Sequence, residues 1–122
     1  MISGPILVVE DDEGMRLAVE RLLLAGGYAV STFGSAEALL GSDARRTAAC
    51  LVLDVRLPGL SGVELSLRLA AEGLSVPVIF MTAHDDPRTR ERAEASGPVA
   101  YLQKPFQGRL LLDAVARALS QS

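Results

Sequence analysis

Short apolar runs alternate with amphipathic helical segments five times along these 122 residues. The apolar runs span residues 6–9, 28–33, 50–53, 76–81 and 99–103, and the helical segments span residues 14–24, 35–40, 61–72, 86–97 and 107–119. Strands that alternate with helices build a parallel sheet with helices on both faces, joined by right-handed crossovers. The sequence therefore predicts one α/β domain with a doubly wound, five-stranded parallel sheet.

Local signals mark several of the predicted boundaries. Ser35 is a favoured N-cap residue for a short helix, and Ser61 with Glu64 three residues later forms the pattern of a capping box. Asp86 followed by Pro87 is typical of an N-cap and a first helical position. These signals indicate where the second, third and fourth helices begin.

Composition excludes several classes of protein. The chain is 49% hydrophobic, which is too apolar for a disordered chain, and none of its apolar runs approaches the roughly 20 residues that span a bilayer. The single cysteine, Cys50, excludes an internal disulfide and favours a reducing compartment. A net charge of -3 argues against direct nucleic-acid binding by this chain. We expect residues 1–122 to form one cytoplasmic domain that neither enters a membrane nor binds nucleic acid.

Polar side chains follow four of the predicted strands. Four consecutive acids, residues 10–13, follow the first strand, and Asp54, Thr82 and Lys104 follow the third, fourth and fifth. Because the carboxyl ends of parallel strands meet at one edge of the sheet, these side chains are expected to converge. Carboxylates that meet there repel one another unless a cation holds them, and oxygen ligands suit Mg²⁺. The pattern predicts a magnesium site.

The same residues suit phosphoryl chemistry. An aspartate can act as a nucleophile toward phosphorus, and the transferred group needs positive charge and hydrogen-bond donors around its oxygens. Lys104, the only lysine among 12 basic residues, offers an ammonium, and Thr82 offers a hydroxyl. Taken singly, each residue also fits an ordinary turn, cap or solvated surface position. The hypothesis depends on their occurring together.

Four segments of the chain resemble the receiver domain of two-component response regulators, and the resemblance extends over residues 6–119. The segments are ILVVEDD at 6–12, LVLDVRLPGLSG at 51–62, PVIFMTA at 77–83 and YLQKPF at 101–106. The resemblance implies a flavodoxin-like sheet in the order 2-1-3-4-5. It also implies that Asp54 accepts a phosphoryl group from a histidine kinase or a phosphotransfer protein.

The resemblance assigns the metal ligands residue by residue. Asp11 and Asp54 would bind Mg²⁺ directly, Arg56 would contribute its backbone carbonyl, and Glu10 would act largely through water. Lys104 would pair with the phosphoryl oxygens.

The resemblance also implies a conformational response. Thr82 would move to hydrogen-bond the phosphoryl group, and Tyr101 would rotate inward behind it, although an aromatic residue on a fifth strand can also simply cover a sheet edge. A cis peptide is expected between Lys104 and Pro105, where proline lowers the cost of the cis form. The only histidine, His84, fits a solvent-facing loop better than a phosphotransfer role.

Phosphorylation is then expected to alter the surface formed by the fourth helix, fifth strand and fifth helix, about residues 86–119, for an output domain, a partner or a homodimer. The exposed charges expected on this surface are those of Arg88, Arg90, Glu91, Arg92 and Glu94. The chain fits both a complete single-domain regulator and the receiver of a longer transcription factor.

Two other functions remain as alternatives. One is a pseudo-receiver that binds partners without phosphorylation. The other is a metal-dependent aspartyl phosphatase, although such enzymes usually carry a second aspartate at the position of Arg56. A nucleotide or flavin carrier is disfavoured because the four acids at residues 10–13 would repel a phosphate. On the preferred interpretation the chain is not an enzyme beyond its own phosphorylation and dephosphorylation.

Overall fold

A computed structural model describes residues 4–83 and 86–120. The strands are β1 (Ile6–Val9), β2 (Val30–Phe33), β3 (Cys50–Asp54), β4 (Val78–Thr82) and β5 (Ala100–Gln103). The α-helices are α1 (Glu13–Ala25), α2 (Ala36–Leu40), α3 (Gly62–Ala71), α4 (Pro87–Ala95) and α5 (Gly108–Ser120), and a 3₁₀ helix spans Asp43–Arg46. Among these helices, none is both long enough and apolar enough to cross a membrane.

The five strands form one parallel sheet in the order β2-β1-β3-β4-β5. This order confirms the predicted doubly wound architecture. Every residue of β1 and of β3 is buried. Apart from Asp54, which ends β3, the residues of both strands are apolar, because helices cover both faces of the sheet at its centre.

Alternate side chains of β1 enter two separate cores. Leu7 and Val9 pack with residues of α2, α3 and α4 on one face of the sheet. Ile6 and Val8 pack with residues of α1 and α5 on the other. The two-residue period of a strand therefore supplies both faces of the sheet from one short segment.

The predicted caps are confirmed. The Ser35 hydroxyl accepts a hydrogen bond from the backbone of Ala38, and Ser61 and Glu64 form the reciprocal capping box at the start of α3. Asp86 accepts from the Thr89 backbone, with Pro87 in the first turn of α4.

Three strands begin one or two residues later than their apolar runs. The β2 ladder starts at Val30 because the backbone of Tyr28 closes α1 instead, donating to Leu23 at 3.2 Å. The β4 ladder starts at Val78, since Pro77 has no amide to donate. The 3₁₀ helix, capped by Ser42, was not predicted.

Candidate functional site

The residues predicted at the strand ends do converge at the carboxyl edge of the sheet. Glu10 follows β1 and Lys104 follows β5, whereas Asp54 and Thr82 are the last residues of β3 and β4 rather than the residues after them. Glu10 is 1% exposed, Asp54 5% and Thr82 0%. They are the buried polar side chains of the described residues, so the sheet concentrates its buried polarity at this edge.

Lys104 joins two of the acids. Its Nζ atom donates to Oε1 of Glu10 and, at 2.9 Å, to Oδ2 of Asp54. Burial is the largest single influence on Lys104 and by itself lowers its pKa, but the hydrogen bonds and charges of the two carboxylates together hold that pKa above its ordinary value. Lys104 is therefore a fully charged ammonium at neutral pH.

An acidic cluster lies beside this ion pair. Glu10, Asp11 and Asp54 each offer a carboxylate oxygen, and these oxygens lie within 4.8 Å of one another. Glu10 and Asp54 are buried, whereas Asp11 is exposed and opens the cluster to solvent. Three hard oxygen donors with room for water fit the coordination that Mg²⁺ prefers, so the residues present suit the predicted ion.

The other two acids after β1 serve the helix that follows. Asp12 is the N-cap of α1 and accepts from the backbone of Met15 at 2.8 Å, and Glu13 lies in the first turn. A negative charge at a helix N-terminus is favourable there. The acidic run therefore divides into two residues for the cluster and two for the helix.

The main chain around Asp54 is held in a network that the sequence did not reveal. The Arg56 amide donates to Oδ1 of Asp54 at 3.0 Å, and the Val55 amide donates to the Met81 carbonyl at 2.8 Å. Gly62 packs so closely that a Cβ atom there would lie 2.1 Å from the Asp54 carbonyl oxygen. Gly62 is the first residue of α3, and its contact with Asp54 depends on the fold of the loop between them.

Glu10 is held from both sides. Its Oε2 atom accepts from the Asp12 amide at 3.1 Å, and its carbonyl accepts from the Arg16 guanidinium at 2.9 Å. Arg16 was not among the predicted site residues. Its position one turn into α1 was the only sequence signal for this contact.

Thr82 and Tyr101 lie on the neighbouring strands β4 and β5. The Thr82 carbonyl accepts from the Lys104 amide at 2.7 Å, which brings the ends of β4 and β5 together, and the Lys104–Pro105 peptide is cis as expected. Tyr101 is half-buried on the edge strand β5, and the Arg90 guanidinium lies 5.1 Å from its ring centroid. Their response to phosphorylation stays a prediction.

The Arg56 side chain makes a further contact that was not predicted from the sequence. It donates to Oδ2 of Asp86 at 2.9 Å. The backbone and hydroxyl of Thr89, followed by this guanidinium, lower the pKa of Asp86 to about 2. The β3–α3 loop is thus tied to the start of α4. His84 lies outside the described residues.

The parallel sheet in this order has the fold of CheY-like receiver domains, with acids, threonine and lysine at the ends of neighbouring strands on its carboxyl edge. Comparison with known proteins agrees. The family model described as the response regulator receiver domain matches residues 6–116, and the chain belongs to this family.

Several known proteins are similar to this chain in sequence or in structure. It is 45% identical over 93% of its length to nodulation protein W of Bradyrhizobium diazoefficiens, covering 50% of that protein. It is 36% identical over 98% of its length to the transcriptional regulatory protein FixJ of the same species, covering 58% of it. The crystal structure of FixJ-N superimposes with a TM-score of 0.88 and 32% identity, covering 100% of this chain and 98% of that one. The chain spans about half the length of the curated relatives it matches.

Proposed function

We propose that this chain is a phosphorylation-controlled signalling switch, comprising a single receiver domain over residues 1–122, in which Asp54 accepts a phosphoryl group in a Mg²⁺-dependent reaction. The observation that carries the proposal is the joint position of Glu10, Asp11, Asp54 and Lys104: an acid cluster that suits a hard cation, with one carboxylate paired to an ammonium. The donor would be the phosphohistidine of a cognate histidine kinase or of a phosphotransfer protein.

The reaction transfers the phosphoryl group between two protein side chains. A carboxylate oxygen of Asp54 attacks phosphorus, an O–P bond forms, and the N–P bond of the phosphohistidine breaks with its electron pair going to the imidazole nitrogen. Mg²⁺, held by Asp11, Asp54, the Arg56 carbonyl and, through water, Glu10, would neutralise charge on the phosphoryl oxygens. The chain would catalyse only this step and the later hydrolysis, in which water attacks phosphorus, the O–P bond to Asp54 breaks and inorganic phosphate leaves.

Lys104 and Thr82 supply the donors that the new phosphoryl group needs. The Lys104 ammonium already lies 2.9 Å from Asp54, so a small shift redirects it from carboxylate to phosphoryl oxygen. Thr82 ends the neighbouring strand β4, from which its hydroxyl would hydrogen-bond the same group. Tyr101 would then rotate toward the space that Thr82 leaves, which would weaken its contact with Arg90 on α4.

The output is proposed to lie on the surface formed by α4, β5 and α5. The charges expected on α4 are all exposed, namely those of Arg88, Arg90, Glu91, Arg92 and Glu94. A surface that mixes both signs of charge suits self-pairing or docking of an attached domain.

We propose a phosphorylation-dependent homodimer through this surface, and sedimentation velocity with and without acetyl phosphate and Mg²⁺ tests it. An unchanged sedimentation coefficient on a fully phosphorylated sample would exclude the dimer.

The experiment that tests the switch is intact mass spectrometry after incubation with acetyl phosphate. We expect the wild-type chain to gain the mass of one phosphoryl group in the presence of Mg²⁺ and none without it. Asp54→Asn should gain nothing. Asp43→Asn is the matched control, because the Asp43 side chain is 97% exposed and belongs to the 3₁₀ helix that precedes β3, whereas Asp54 ends that strand, and it should behave as wild type.

The outcomes separate the proposal from its alternatives. If the folded wild-type chain binds Mg²⁺ yet gains no mass, the acid cluster serves binding alone, and the chain is a pseudo-receiver. If the chain instead hydrolyses added phosphomonoesters with turnover, the aspartyl phosphatase alternative replaces the switch.

A further inference from the structure

Helix α4 is held to the domain by little apolar surface. It buries one residue, Ala93, whereas α3 and α5 each bury four. Its sequence, PRTRERAEA, is polar around most of its circumference. Because apolar burial supplies most of the energy that docks a helix, polar contacts have an unusually large share in positioning α4.

A cavity separates the start of α4 from the loop after β3. Its volume is about 350 Å³. Val55, Leu57 and Val63 line it from the β3–α3 side, and Thr89 and Arg92 line it from α4. The first turns of α4 therefore lack close apolar packing on this side and have room to shift.

The Arg56–Asp86 ion pair bridges these two walls. The guanidinium donates to Oδ2 of Asp86 at 2.9 Å, and Asp86 is the N-cap of α4. Thr89 fixes the Asp86 carboxylate from within the helix, donating its amide at 2.9 Å and its hydroxyl at 2.7 Å. The ion pair thus acts on the whole first turn of α4.

The other end of the link is the predicted phosphoryl acceptor. The amide of Arg56 donates to Oδ1 of Asp54 at 3.0 Å. One residue therefore contacts Asp54 through its main chain and α4 through its side chain.

We propose that Arg56 is a positioning residue that transmits the state of Asp54 directly to α4. In the unphosphorylated chain its ion pair with Asp86 holds the first turn of α4 against the β3–α3 loop. A phosphoryl group on Asp54 competes for the guanidinium, because a phosphate dianion accepts stronger, bidentate hydrogen bonds from arginine than a carboxylate monoanion already held by Thr89. Loss of the pair frees α4 to move into the cavity. The response to phosphorylation rests on the proposed function, whereas the role of the Arg56–Asp86 ion pair in the unphosphorylated chain does not.

Hydrogen exchange of the α4 amides tests the resting ion pair in the unphosphorylated full chain. Arg56→Ala keeps the amide and carbonyl of residue 56, and Asp86→Asn keeps an N-cap acceptor. We expect each variant to exchange about two- to five-fold faster than wild type along α4, the range for loss of a partly exposed ion pair. The double variant should exchange no faster than either single variant, since both changes remove the same interaction.

A different ion pair serves as the control for this first experiment, the hydrogen exchange of the unphosphorylated chain. Asp43 and Arg46, both in the 3₁₀ helix, form an exposed ion pair with an N–O distance of 3.8 Å, and Asp43→Asn with Arg46→Ala should leave α4 exchange unchanged. Unaltered exchange in the Arg56 and Asp86 variants, or effects that simply add, would overturn the proposed ion-pair role.

The second arm repeats the exchange with acetyl phosphate and Mg²⁺, with phosphorylation of each sample measured by intact mass. Wild-type α4 should exchange faster when phosphorylated, and Arg56→Ala should show a smaller further increase. If wild type takes up no phosphoryl group, the proposed function fails while the first arm stands. If both chains are phosphorylated and show equal increases, Arg56 does not couple Asp54 to α4.

Discussion

At the scale of single residues, the site is a balance of buried charges around Lys104. Glu10 and Asp54 are almost fully buried, and the ammonium of Lys104 is what both carboxylates contact. A buried charge without a partner is costly, so the same residues that prepare the chemistry also govern stability. Two substitutions test this arrangement.

The first substitution is Lys104→Met, which keeps the length of the side chain and removes its charge. We expect the free energy of unfolding at pH 7 to fall by about 1–3 kcal/mol, because two buried carboxylates lose the ammonium that donates to both and keep only backbone amide donors. Arg46→Met is the control, since the Arg46 side chain is 66% exposed, and it should change stability by less than about 0.5 kcal/mol. Urea denaturation of the three chains, without Mg²⁺, measures both values.

The difference in unfolding free energy between wild type and Lys104→Met should depend on pH in one direction. Folding raises the pKa of Lys104 above its ordinary 10.5, so the protonated side chain stabilises the folded state fully below that pH. The stabilisation is lost as the pH rises through the higher pKa of the folded state. The gap between wild type and Lys104→Met should therefore stay constant near neutrality and shrink only in strongly alkaline solution. A gap that shrinks already between pH 7 and 9 would contradict the assignment.

The second substitution is Gly62→Ala. A methyl group there would lie 2.1 Å from the Asp54 carbonyl oxygen, so the β3–α3 loop must shift. We expect a loss of about 1–3 kcal/mol in unfolding free energy and slower phosphorylation by acetyl phosphate. Gly14→Ala is the matched control, because its nearest neighbouring atom lies at 3.5 Å and alanine favours a helix. Gly14→Ala should be neutral or stabilising, with unchanged phosphorylation.

At the scale of elements, the first four α-helices each begin at the site edge with a side-chain cap. The capping box of α3 places Gly62 under Asp54, and the Asp86 cap of α4 receives Arg56. Helix starts therefore contribute to the site through their geometry as well as their charge.

The capping box of α3 should stabilise the domain less in acid than at neutral pH. The Ser61 amide and hydroxyl lower the pKa of Glu64 below its ordinary 4.5, so the ionised carboxylate stabilises the fold above that pH. This contribution is lost as the pH falls through the lower pKa of the folded state. Glu64→Gln should be less stable than wild type at pH 7, and the two chains should become equal in acid. Urea denaturation from pH 7 to pH 3 measures the difference, and a gap that widens in acid would contradict it.

At the scale of the whole molecule, the central strand β3 reports on the integrity of the domain. Cys50 lies in this strand, is 0% exposed, and burial raises the pKa of its thiol to about 12. A buried thiol with a raised pKa does not react with labelling reagents until the sheet opens. The rate of Cys50 labelling therefore measures how often the domain unfolds.

Magnesium should slow that labelling. An ion that binds the folded state alone stabilises it by mass action, by about 1.4 kcal/mol, or ten-fold in labelling rate, at ten times its dissociation constant. Asp11→Asn removes an exposed carboxylate of the cluster and should abolish the effect, whereas Asp43→Asn should preserve it. Equal protection of both variants would place the ion elsewhere.

Much of the secondary structure is determined by local sequence signals and can therefore be predicted from the sequence. The five strand–helix units, the caps and the strand-end positions of Asp54, Thr82 and Lys104 all follow from periodicity and short-range signals. Strand starts were less predictable, because they depend on which neighbour supplies a ladder hydrogen bond, as Pro77 illustrates.

Only the tertiary structure decided which side chains meet. Lys104 contacts carboxylates 94 and 50 residues earlier in the chain, and Arg56 reaches Asp86 across 30 residues. Such contacts depend on strand order, on loop paths and on side-chain reach, none of which has a local signature. The sequence by itself determined the kinds of residue at the edge of the sheet, and the fold determined which of them pair, because parallel strands bring distant positions to a common edge.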